Sequence, residues 1–201
     1  MSKKIAITGG IGSGKSTVLN ILREKGYSVF SCDAIYADVV KSKEYVEKIN
    51  KIFPLAVKNG VIDRKYLSDE VFSDKEKRLA LNQLAHPLIM KSLYKNINER
   101  LKNEKMVFAE VPLLFENGFE KDFDAVIILN RDMDKRVACV KERSGLSEEE
   151  ILKRISAQFD YDNYFKNTDF DKNNFFVLTN NLKVDDLENA LLHVLEKINQ
   201  S

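Results

Sequence analysis

Tryptophan is absent from this 201-residue chain, and proline (three), cysteine (two) and histidine (two) are scarce. Cys32 and Cys139 fall into no metal-ligand or redox spacing, which excludes a disulfide framework and fits a reducing compartment. His86 and His193 do not complete a zinc-site spacing with them. No apolar run approaches the roughly 20 residues that cross a bilayer, and Ile5–Ile7 is too short for the apolar core of a secretory signal. An excess of charge is also missing. With 32 basic and 31 acidic residues interspersed, the net charge is +1, and no global field favours nucleic acid or a membrane surface. Linkers rich in proline or glycine, low-complexity tracts and internal repeats are absent too. What remains is 44% hydrophobic and 31% charged, the composition of an ordinary folded protein. The expectation is a single cytoplasmic domain over 1–201, with no nucleic-acid or membrane partner.

Glycine is sparse as well, yet it concentrates at Gly9, Gly10, Gly12 and Gly14. These belong to Gly9-Gly10-Ile11-Gly12-Ser13-Gly14-Lys15-Ser16-Thr17, which follows the apolar run Lys4–Thr8 and opens an amphipathic segment. That is the G-x-x-x-x-G-K-[ST] phosphate loop between a buried strand and a helix. Glycines let successive backbone N–H groups turn inward as an anion nest, and the helix dipole adds to it. Lys15 is placed for the β- and γ-phosphates and Ser16 for Mg²⁺. The segment predicts a nucleoside triphosphate site over Gly10–Thr17.

Short apolar runs alternate with helical patterns, which predicts an α/β fold with a mostly parallel five-stranded sheet covered on both faces. Strands are expected at Lys4–Thr8, Tyr27–Ser31, Met106–Glu110, Ala125–Asn130 and Phe175–Thr179. Helices are expected from Lys15 to Lys25, stopped by Gly26, and over Val184–Ile198. Two helical insertions follow strand ends, where open α/β sheets bind ligands. The first, about 33–105, is long enough for an acceptor-binding subdomain, with helical spacing in Leu79–Leu84 and Ile89–Leu101. The second, about 132–165, reads as a lid. There Arg136 and Arg143 share a helix face, Gly145 ends that helix, and Ser147 with Glu150 forms a capping box. Arg154 and Gln158, at i and i+4, are expected on one face of the next helix. Several arginines on a helical hairpin suit a phosphoryl-transfer lid.

Asp33 stands just past strand two, expected beside strand one, where a carboxylate can take the proton of an attacking hydroxyl. The same position suits an N-cap for a helix over Ala34–Val40. Glu110, ending strand three, occupies the place of a Walker-B acid near the Mg²⁺ shell. His86 beside Pro87 suits a turn or an acceptor contact. The aromatic set Phe159, Tyr161, Tyr164 and Phe165 is expected to pack rather than stack on a base.

The phosphate loop, Gly60-Val-Ile-Asp63-Arg64, Leu84-Ala-His86-Pro87-Leu-Ile89, Val111-Pro112-Leu113-Leu114-Phe115-Glu116 and Arg143–Glu150 through Arg154 and Gln158 follow one another along the chain. Together they resemble the dephospho-CoA kinase family. The resemblance implies a P-loop kinase fold of three layers and transfer of the ATP γ-phosphate, with Mg²⁺, to the ribose 3′-hydroxyl of dephospho-CoA. It implies Asp33 as general base with Lys15 at the phosphates, Arg143 on ATP and Asn180 near the adenine. Acceptor contacts fall on Arg64, His86, Pro112, Leu113 and Glu116, and lid roles on Arg136, Arg154 and Gln158. Three positions depart from the family's pattern: Ala37 where an arginine is usual, Leu182 where glycine is usual, and Glu110 where many relatives have aspartate.

Other classes fit less well. A nucleoside or nucleotide kinase would share this core. A GTP-hydrolysing switch needs D-x-x-G and Asn-Lys-x-Asp, and neither occurs. A dinucleotide-binding dehydrogenase needs G-x-G-x-x-G, which no glycine here completes.

Overall fold

The computed structural model describes residues 2–167, 174–181 and 183–200. The departure at Leu182 lies outside the described residues. Strand β1 (Lys3–Gly9) runs into helix α1 (Lys15–Glu24), which buries Val18, Leu19, Ile21 and Leu22. Gly26 ends α1 with paired closing bonds, Gly26 N–H to the Arg23 carbonyl (2.9 Å) and Tyr27 N–H to the Leu22 carbonyl (3.0 Å). Then come β2 (Ser28–Ser31), α2 (Cys32–Val39) and α3 (Lys43–Ile52). A two-residue hairpin follows, β3 (Val57–Lys58) and β4 (Val61–Ile62), leading to α4 (Arg64–Ser73) and α5 (Lys75–Arg100). The remaining elements are β5 (Met106–Glu110), β6 (Ala125–Asn130), α6 (Met133–Ser144), α7 (Glu148–Ser156), α8 (Tyr161–Asn167), β7 (Phe175–Thr179) and α9 (Val184–Gln200).

The five-stranded sheet has the order β2-β5-β1-β6-β7, with β1 parallel to β5 and β6, and β6 parallel to β7. This is the α/β sheet the sequence predicts, with one correction. Strand two is not beside strand one, because β5 lies between them. Residues 5–9 of β1 and 125–129 of β6 are buried without a break. Successive strand residues point to opposite faces, so both faces are covered. On one of them Ile5, Ile7, Phe108, Ile127 and Leu129 join Leu22 of α1 and Leu191, Leu195 and Ile198 of α9 in one core cluster. Each such side chain contributes about 1.5–3 kcal/mol on burial. The register pairs Ile7 with Glu110 and Gly9 with Leu129, so the phosphate loop, Glu110 and the end of β6 leave the sheet at one edge.

The chain forms two compact units, Met1–Val29 with Arg100–Ser201, and Phe30–Glu99. In the second, Asn59 and Gly60 both have positive φ, the turn geometry that an Asn-Gly pair imposes on a two-residue hairpin. Tyr45, Ile49, Phe53, Leu67 and Leu93 are buried there. The two expected helical patches merge into one helix, α5, that carries Pro87 in its interior, so His86 is on a helix and not in a turn. Ala85, Leu88, Met90, Leu93 and Ile97 are buried along α5. Their packing offsets the roughly 3 kcal/mol that an interior proline costs.

Candidate active site

Gly14 caps α1 in left-handed backbone (φ 97°) and offers no side-chain acceptor, so the first amides of the helix open toward the loop. A Cβ there would also lie 2.0 Å from Asn180 Nδ2, and one at Gly10 would lie 2.3 Å from Arg136 Nη2. At Gly14 the left-handed backbone also demands glycine, and at Gly10 a side chain would push the Arg136 guanidinium off the loop. Lys15 spans the loop, its Nζ donating to the carbonyls of Gly9 (2.7 Å) and Gly10 (3.2 Å). Ser13 is buried, Thr17 is half-buried, and Ser16 is exposed in the first turn of α1.

Outside the loop, side chains from distant segments hold its backbone. Arg136 Nε donates to the Ile11 carbonyl (2.9 Å), and Gln158 Oε1 accepts from the Ile11 N–H (2.8 Å). Arg131 Nη1 donates to the Gly12 carbonyl (3.3 Å) and Asn180 Nδ2 to the Ser13 carbonyl (2.9 Å). Thr8 Oγ1 and Tyr161 Oη are 3.1 Å apart, buried beneath the loop's start. Sequence spacing misses these contacts because they join residues more than a hundred positions apart. Arg136 and Arg143 do fall on one helix, α6, but their surroundings differ: Arg136 is 6% exposed and packed on the loop, whereas Arg143 is exposed. Burial also lowers the Arg136 pKa, which the nearby Asp162 partly opposes. Gln158 is not on a helix with Arg154, because α7 ends at Ser156 and Ala157 caps it. The Gly145 stop and the Ser147–Glu150 capping box form as expected.

Beside the loop, Glu110 ends the strand adjacent to β1 and is half-buried. Pro112, Leu113 and Glu116 follow it and are exposed. Leu113 holds a left-handed backbone (φ 56°), its carbonyl accepting from Asn117 N–H (3.3 Å) and Nδ2 (2.8 Å). A non-glycine residue there stores on the order of 1–2 kcal/mol of strain. Glu116 Oε1 accepts from the Phe159 N–H (3.0 Å). The aromatics pack as expected: Phe115 stacks on Phe159 (centroids 5.0 Å) and contacts Tyr161, Tyr164 and Phe175, while Phe165 lies against Tyr161.

With this loop in place, the likeness to known proteins decides the family. The sequence model of dephospho-CoA kinase matches residues 3–185. The chain belongs to the dephospho-CoA kinase family. A dephospho-CoA kinase from Thermus thermophilus is 40% identical over 194 residues, 96% of this chain and 91% of that one. A crystal structure from Thermus thermophilus superposes with a TM-score of 0.79 at 39% identity, over 98% of this chain and 97% of that one. Dephospho-CoA kinase from Campylobacter jejuni gives 0.64 at 26% identity, covering 98% and 97%.

The residues singled out in the sequence for catalysis or the acceptor that lie in the unit Phe30–Glu99, and the departure at Ala37, are placed as follows. Asp33 is exposed in the first turn of α2. It is not the N-cap, since α2 begins at Cys32 with Ser31 as its cap residue. Arg64 opens α4 and lines a 270 Å³ cavity with Tyr36, Tyr45, Leu67 and Leu81. His86 is half-buried on α5, and Ala37 is exposed on α2. Among the described residues no group of three or more His, Cys, Asp or Glu could enclose a metal ion. The hydroxyl of Ser16 and the carboxylate of Glu110 are hard oxygen donors suited to Mg²⁺, which keeps several waters and takes its other ligands from phosphates.

Proposed function

We propose that this protein transfers the γ-phosphoryl group of ATP to the ribose 3′-hydroxyl of dephospho-CoA, giving CoA and ADP. The observation that carries the reading is the family match over residues 3–185 joined to a formed phosphate loop with Lys15 held over it. Asp33, two residues beyond β2, accepts the 3′-hydroxyl proton as that oxygen bonds to the γ-phosphorus. The bond to the β–γ bridging oxygen breaks, and ADP leaves. Lys15 and the loop amides take up charge on the transferring group. Ser16, and Glu110 through water, would hold Mg²⁺, which when bound screens the β- and γ-phosphate oxygens. Arg143 and Arg154, exposed on the lid helices, supply further cations for ATP and exclude water on closure. The residues read as acceptor contacts are Arg64 at the start of α4, His86 on α5, and Pro112, Leu113 and Glu116 after β5.

The test offers purified protein Mg²⁺-ATP with dephospho-CoA, AMP, CMP, uridine or pantothenate separately, and identifies products by mass and phosphate position. CoA phosphorylated at the 3′ position is the expected dominant product. Preference for a nucleoside monophosphate with dephospho-CoA inert would replace this reading with a nucleotide kinase. Lys15→Ala should abolish turnover and weaken ATP binding together. Asp33→Asn should cut turnover at least about 10²-fold while ATP affinity holds.

A further inference from the structure

The outward hydrogen bonds of the phosphate loop follow a pattern set by peptide geometry. In a trans peptide the carbonyl of one residue and the N–H of the next point in opposite directions. Fixing a carbonyl outward therefore aims the following N–H inward. Arg136 fixes the Ile11 carbonyl, which aims the Gly12 N–H into the loop; Asn180 fixes the Ser13 carbonyl, which aims the Gly14 N–H the same way. Neither of these two amides has a partner among the described residues. Between them, Arg131 holds the Gly12 carbonyl, and the Ser13 N–H donates to the Gly10 carbonyl (3.2 Å). The peptide joining Gly10 to Ile11 is turned the opposite way. Gln158 holds its N–H outward, and its carbonyl accepts Lys15 Nζ.

The geometry points to Arg136 and Asn180 as positioning residues that set the anion nest, acting through the loop backbone rather than touching nucleotide. Two further features support this. Arg136 is buried although it sits on a lid helix, with its guanidinium against Gly10. Asn180 is equally buried, and its amide is committed to Ser13 and packed on Gly14. Both residues join the lid stretch and the end of β7 to the loop, so loss of either lets a peptide plane rotate and removes a phosphate donor. The inference rests on ATP as donor.

The experiment compares ATP with inorganic tripolyphosphate, which engages the nest and carries no base. Binding of each is measured by calorimetry on unmodified protein and on Asn180→Leu, Arg136→Met and Arg136→Lys, with circular dichroism confirming a folded chain. Asn180→Leu, near in size but without a donor, is expected to weaken both ligands by the same factor, about tenfold. Arg136→Lys should retain more affinity for both than Arg136→Met, and the KM for dephospho-CoA should not move in any variant. Loss of ATP affinity with tripolyphosphate binding intact would make Asn180 a base contact and overturn the proposal. Unchanged binding of both ligands would overturn it equally. Failure of the unmodified protein to bind ATP would instead remove the donor reading on which it rests.

Discussion

Burial beneath the phosphate loop leaves Tyr161 with its hydroxyl against Thr8 and its pKa pushed up to about 12, chiefly by desolvation. The folded protein therefore keeps a proton that the unfolded chain releases near pH 10. Above that value the unfolded state binds fewer protons, so stability falls as pH rises from about 10 toward 12. Urea denaturation should show this tyrosine's contribution shrinking by on the order of 2 kcal/mol over that window, read as the difference from Tyr161→Phe. Parallel stability curves for the two proteins would mean that the phenol ionises without penalty. The two arginines of α6 diverge at this scale as well. Arg143→Met should reduce turnover with little change in melting temperature, because an exposed cation contributes little to folding. Arg136→Met should lower the melting temperature, since it removes a buried donor and leaves the Ile11 carbonyl without it.

Among the elements, α7 depends on its first turn. Ser147 Oγ accepts from Glu150 N–H (3.3 Å), and Glu150 Oε2 accepts from Ser147 N–H (2.9 Å) and its hydroxyl (2.8 Å). Loss of such a cap costs about 1 kcal/mol. Ser147→Ala should therefore raise hydrogen exchange in residues 148–156 while leaving the sheet amides protected; uniform loss of protection would show that α7 does not open independently. The two Ser147 donors hold the Glu150 carboxyl below the usual range. Its support is present above the unfolded pKa and is lost as pH falls through the lower folded one, so α7 should fray at acid pH before the core does. Helix α5 shows the limit of local reasoning. Periodicity on either side of Pro87 was visible, but the ring at that position argues for a break. The buried row from Ala85 to Ile97 carries the helix through it.

For the whole molecule, a kinase that excludes water should hydrolyse ATP slowly without acceptor. Comparing phosphate release alone with CoA formation when dephospho-CoA is added should show a rate ratio of at least about 10² in favour of transfer. Equal rates would mark a lid that leaves the transferring group open to solvent. The five strands of the parallel sheet, the helix after the phosphate loop, the Gly26 and Gly145 stops and the capping box were legible in the amino-acid order. The short hairpin Val57–Lys58 and Val61–Ile62 was not, since two-residue strands leave no apolar run to read. Each legible feature depends on residues within a few positions of one another: apolar runs for strands, glycine where backbone turns left-handed, paired acceptors and donors at a helix start. The lysine and glycines of the loop were legible for the same reason. Three things were decided only by tertiary structure. The sheet inserts β5 between β1 and β2, because strand neighbours follow from how the crossovers pack and not from chain order. Arg136 and Gln158 became supports of the phosphate loop, since a side chain's partner across more than a hundred residues is set by which segments the fold brings together. Asn180 turned its amide to the Ser13 carbonyl because Gly14 leaves room there and the buried carbonyl needs a donor.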